Sequence, residues 1–134
     1  MTLSSRRLIT AFTLCVCLVG CAHQTQTVGT TSSPTAIPKG YTIAEIAVND
    51  AVAYRDYVAA VTPLIAKHGG VYLVRAGKVV AKEGATPLGR MVVIEFPSYT
   101  AAETFYDSAE YQAIITLRTK VATSRILLVE GTPR

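Results

Sequence analysis

Residues 41–134 predict an α+β fold built on an antiparallel sheet, and three observations carry that expectation. Short β-branched runs alternate with helical periodicity in the order β-α-β-β-α-β. Turn and cap residues (Asn49-Asp50, Gly69-Gly70, Pro97-Ser98 and Glu130-Gly131) stand at the boundaries between them. The strands are apolar on both faces, so the sheet needs a cover on each side.

Tyr41 to Val48 (YTIAEIAV) reads as the first strand and stops at Asn49-Asp50, a helix N-cap. Tyr54, Tyr57, Val58, Val61, Leu64 and Ile65 then recur at helical spacing, with Pro63 predicting a kink where Ala59 loses its hydrogen-bond partner. Gly69-Gly70 ends that helix, Gly69 as a left-handed cap. Val71 to Val74 is a strand, and Lys78 to Lys82 a looser extended stretch leading to the strand Arg90 to Phe96. Thr100 and Glu103 have capping-box spacing and open a short helix, and Ser108 caps a longer one running to about Ala122. Ile126 to Val129 is the last strand. This order is the split βαβ, ferredoxin-like plan. Met91-Val92-Val93-Ile94 and Ile126-Leu127-Leu128-Val129 leave the face away from the helices apolar, and a second copy of the chain is the expected cover.

The segment before residue 41 has a different character. Arg6 and Arg7 precede thirteen mostly apolar residues, Leu8 to Gly20, which suit a signal peptide and are short for a membrane span. The run ends in Leu18-Val19-Gly20-Cys21, which resembles the bacterial lipobox. That resemblance implies a signal peptide over 1–20, a diacylglyceryl and palmitate-type lipid anchor on Cys21, and a membrane location. Ala22 rather than Asp follows the cysteine, which favours the periplasmic side of the outer membrane in a Gram-negative cell. Residues 21–40, lidated at Cys21 and rich in Thr, Ser, Gln and Pro, read as a flexible tether of about 25 Å that includes His23.

Composition removes several function classes. Half the residues are hydrophobic and mean hydropathy is +0.35, an excess concentrated in the leader. Of thirteen basic residues two, Arg6 and Arg7, leave with it, so eleven stand against nine acidic ones. That balance, without a basic cluster, is no nucleic-acid footprint. The cysteines are Cys15, Cys17 and Cys21, so none remains in the domain for a disulfide, a thiolate metal site or a nucleophile.

Several stretches resemble one known family. They are Tyr54-Arg55-Asp56-Tyr57, Gly69 to Arg75, Val93-Ile94-Glu95-Phe96-Pro97-Ser98, Phe105 to Gln112, Arg118 and Val129-Glu130-Gly131. Together, over about residues 41–131, they resemble the domain of unknown function 1330 family of the dimeric α/β-barrel superfamily. The resemblance implies a ferredoxin-like protomer that pairs through its sheet into a barrel, as a homodimer. In superfamily relatives a pocket between sheet and helices serves monooxygenases, isomerases and haem enzymes, which by itself assigns no reaction here. Ala109 stands where many members have Pro, and the leader is an addition to the usual domain.

Arg118 is the first candidate site residue. It lies seven residues after Tyr111 on a face also marked by Ile114, Ile115, Val121 and Ala122, where a buried guanidinium needs an acceptor. Three readings stay open: an ion pair with Glu45 or Glu95, an anchor for an anionic ligand, or snorkelling to solvent. Tyr57, Tyr106 and Tyr111 either present phenols to a pocket or serve as core residues. Ser98 and Ser108 read as caps. His68, at a helix end, opposes the dipole, and no second ligand joins it for a metal site; haem ligation rests on the superfamily resemblance alone. The resulting expectation is a membrane-anchored protein with a pocket for a small anionic ligand and no cofactor. An envelope interaction or accessory protein is the alternative, and a cofactor-independent enzyme the third reading.

Overall fold

The computed structural model describes residues 36–133. The expected signal peptide, Cys21 and most of the expected tether lie outside the described residues. β1 (Gly40–Val48), α1 (Tyr54–Lys67), β2 (Val71–Arg75), β3 (Arg90–Phe96), α2 (Tyr99–Asp107), α3 (Ala109–Thr119) and β4 (Ala122–Glu130) follow in order. The strands form one antiparallel sheet ordered β2-β3-β1-β4, so the α+β expectation holds.

Local chemistry explains the boundaries. The Asp50 carboxylate accepts from the Val52 and Ala53 amides and caps the turn that leads into α1. The helix runs through Pro63 without interruption. At its end Gly69 has φ +74°, and the Gly69 and Gly70 amides donate to Ala66 and Ile65, the two bonds of a Schellman cap. A side chain at Gly70 would meet Ile65 and Phe96 at under 3 Å, so this turn packs directly on the core.

Four expectations are corrected. Lys78 to Lys82 forms no strand, because Ala76 turns left-handed at φ +58° and leads the chain off the sheet. α2 is capped by Ser98, whose hydroxyl accepts from the Ala101 amide, while Thr100 and Glu103 lie inside the helix. α3 stops at Thr119 rather than Ala122. The last strand starts at Ala122, four residues before its expected beginning, where Ala122 pairs with Val48 and the Val121 carbonyl accepts from Asn49. A two-residue turn leaves no gap in apolar periodicity, so helix and strand read as one segment.

The helices cover one face of the sheet. Thr42, Ala44 and Ile46 of β1 and Val92, Ile94 and Phe96 of β3 are buried beneath them, around a stack of Phe96 on Phe105 at 5.3 Å. On the other face, registered pairs align Val74, Val93, Ile43 and Leu127 into one apolar row across all four strands. Leu127 is 46% exposed and Val129 39%. The two-faced strands expected from the sequence are therefore present, with one face covered within the chain.

Candidate functional site

The site begins with the caps. Ser108 accepts from the Tyr111 amide and starts α3 so that Tyr111 turns inward in its first turn. Tyr57 points inward from the middle of α1, and the two hydroxyls meet at 3.2 Å. Tyr106, at the end of α2, packs on Tyr111 with ring centroids 5.3 Å apart. All three tyrosines singled out in the sequence line one cavity between the helices and the inner face of β1 and β3. About 50 Å³ of it is open to the centre of a water molecule. Thr42 offers a buried hydroxyl beneath the same wall, with no hydrogen-bond partner among the described residues.

Arg118 is buried, at 3% exposure, two helical turns beyond Tyr111. Its guanidinium donates to Ser124 Oγ on β4 and, over 3.5 Å, to the Tyr111 hydroxyl. It lies 5.8 Å from the centre of the Tyr57 ring. The arginine therefore stands behind the two phenols rather than on the cavity wall. Its Nε is buried with no partner, and no carboxylate lies within ion-pair distance among the described residues.

Two of the three readings of Arg118 fall on this geometry. Burial removes snorkelling. The ion pair with Glu45 or Glu95 fails because both carboxylates belong to the opposite face of the sheet. Glu45 pairs with Arg125 at 2.6 Å, a bond that holds its carboxyl below the usual range. Glu95 accepts from the Tyr41 hydroxyl at 3.2 Å. Strand parity carries this information, since Glu95 alternates with the inward Ile94 and Phe96.

Burial, reinforced by neighbouring Tyr111, pushes the Tyr57 phenol far above its ordinary pKa. Burial likewise raises Tyr54. At neutral pH these groups keep their protons and act as donors.

Two further arginines line the cavity and were not singled out in the sequence. β2 shifts register between Tyr72 and Val74, a bulge at Leu73. As a result Val74 pairs with the outward Val93, and Arg75 with the inward Val92. Arg75 stacks 4.4 Å over the Tyr72 ring and donates to Thr62 Oγ1 at 2.9 Å. Arg90, at the start of β3, lies 5.3 Å over the Tyr54 ring. Regular alternation after Val71 sends Arg75 outward, so only the bulge reveals it.

Ser98 and Ser108 are helix caps, as expected. His68 caps α1 and packs edge-on against Phe105 at 5.6 Å, with Glu110 at 3.8 Å. Among the described residues no group of three or more His, Cys, Asp or Glu side chains is placed to hold a metal.

The family described as Domain of unknown function (DUF1330) matches residues 39–132. No curated protein matches the chain. Among solved structures, the RPA0582 protein of unknown function from Rhodopseudomonas palustris is similar at 16% identity and TM-score 0.58, covering 71% of this chain and 83% of that one. SnoaB, a cofactor-independent oxygenase from Streptomyces nogalater, is similar at 12% identity and TM-score 0.48, covering 71% and 94%. At these identities the likeness concerns the fold.

Proposed function

The chain belongs to the DUF1330 family over residues 39–132, and from that premise we propose that its domain binds a small organic anion in the cavity between the helices and the sheet. One observation carries the reading: the cavity wall holds Arg75 and Arg90, Arg118 stands behind it, and no carboxylate lines it. A guanidinium buried without a counter-charge is unfavourable until an anion joins it. The Tyr57 and Tyr111 phenols, kept protonated, supply hydrogen bonds to the same space, with Arg118 donating to Tyr111 from behind. A water needs roughly 10–15 Å³ of such volume, so the cavity suits a ligand of only a few heavy atoms. Such a wall binds and orients a carboxylate, and we assign it no reaction.

The wider setting is part of the proposal. The apolar row on the outer face of the sheet supports a homodimer that packs sheet against sheet. The lipobox-like Leu18 to Cys21 supports a lipid anchor in the cell envelope, with residues 1–20 removed and residues up to the domain serving as tether.

Thermal unfolding of the full-length chain with formate, acetate and glycolate tests the ligand. A saturable rise in Tm is expected, reaching about 2.7 kcal/mol at 100 times the Kd. Tyr57→Phe and Arg118→Met should remove it. A flat response to all three anions would favour the envelope interaction protein instead.

A further inference from the structure

A second, wider recess opens at the end of the sheet, between the first turns of α1, the end of β1 and the return of the β2–β3 loop. About 820 Å³ of it is accessible to water. Its wall is apolar or aromatic except for Arg55 and Arg90, and it contains no acidic residue. Neither arginine enters an ion pair among the described residues.

The geometry of Arg90 points to what this recess holds. One face of its guanidinium is directed to the Tyr54 ring, at 5.3 Å, which leaves the edge of the fork for hydrogen bonding. Its Nε is buried and has no partner among the described residues. The loop closes the other side with Leu88 and Gly89. A side chain at Gly89 would come within 2.4 Å of the Ile46 carbonyl, so only glycine lets the loop approach β1 this closely. Leu88 is 47% exposed beside a wall that includes Val58.

We propose that this cleft is a binding site for an amphipathic carboxylate, with the anionic group on the Arg90 fork, Arg55 near the mouth, and the apolar chain against Val58 and Leu88. An arginine edge matches a carboxylate bidentately, and the apolar wall gains by covering a hydrocarbon chain. The site is distinct from the inner cavity and does not depend on the small-anion reading, although Arg90 borders both.

Calorimetric titration of the full-length chain with octanoate, octylammonium and acetate tests this. Octanoate should bind saturably, one per protomer, and octylammonium should neither bind comparably nor displace it. Binding should weaken about tenfold or more in Arg90→Gln and in Leu88→Asp, and less in Arg55→Gln. Leu88 and Arg55 are exposed, so those variants keep the test independent of folding. Tyr57→Phe, which touches only the inner cavity, should leave octanoate binding unchanged. Equal binding of octylammonium, or titrations of Leu88→Asp and Arg90→Gln that match wild type, would overturn the proposal. Octanoate binding lost in Tyr57→Phe but kept in Leu88→Asp would place it in the inner cavity, overturning this site while leaving the small-anion reading intact. Octanoate that splits a dimer in sedimentation would assign the cleft to a second copy, and also overturn it.

Discussion

The hydroxyls of Tyr57 and Tyr111 stand 3.2 Å apart although 54 residues separate them in the chain. Their contact joins α1 to α3, lines the inner cavity and sets two protonated phenols in front of a buried guanidinium. Most of what is distinctive about the interior meets at this pair.

Removing either hydroxyl should cost about 0.5–1.5 kcal/mol, the usual net worth of one hydrogen bond. Tyr57→Phe and Tyr111→Phe together should cost less than the sum of the two, since each single variant already breaks the shared bond. Urea unfolding of the four proteins measures this, and strict additivity would show that the hydroxyls are not coupled.

Tyr57 also predicts a pH dependence. Its folded pKa is raised by burial, so the protonated phenol favours the native state. That contribution is whole below the unfolded phenol's pKa near 10 and declines as pH rises from there toward the folded value. The expected slope from this group is about −1.4 kcal/mol per pH unit above pH 10. Denaturation in alkaline buffers should show a shallower slope for Tyr57→Phe, and identical slopes would mean that the phenol is open to solvent.

Arg118 has no carboxylate to strand. Arg118→Met should therefore cost clearly less than the roughly 3–5 kcal/mol expected on breaking a buried ion pair, because only the contacts to Ser124 and Tyr111 are lost. Arg118→Lys should restore only part of any anion-dependent rise in Tm, because the planar fork is gone. A loss in the ion-pair range for Arg118→Met would reveal a counter-charge.

Neighbouring strand residues should behave differently. Ile94 is buried under the helices, at 5% exposure, and Ile94→Glu should unfold the protomer by burying a charge without a partner. Val93 lies in the outer apolar row, and Val93→Glu should leave the protomer folded while dissociating the proposed dimer. Circular dichroism with sedimentation separates the two outcomes. A wild-type chain that is monomeric at micromolar concentration would remove the sheet-to-sheet assembly.

The proposed anchor is tested by processing. Wild-type chain should partition with membranes and carry acyl mass on Cys21, whereas Cys21→Ala should accumulate with residues 1–20 still attached. A mature, unacylated wild-type protein in the soluble fraction would exclude lipidation.

Period and punctuation in the sequence were enough for the element order, the Gly69 cap, the serine caps and the two apolar faces of the sheet, because these depend on residues close in the chain. Strand parity also separated Glu95 from the helix side, had it been applied. The partners of Arg118, the bulge that turns Arg75 inward and the approach of Arg90 to Tyr54 were decided only by the tertiary structure. Each brings together side chains from different elements, whose distances depend on register and helix placement. A buried arginine could be expected from the α3 pattern, but its lack of a carboxylate could not. Glu45 and Arg118 lie on opposite faces of one sheet, and the backbone between them keeps the charges apart.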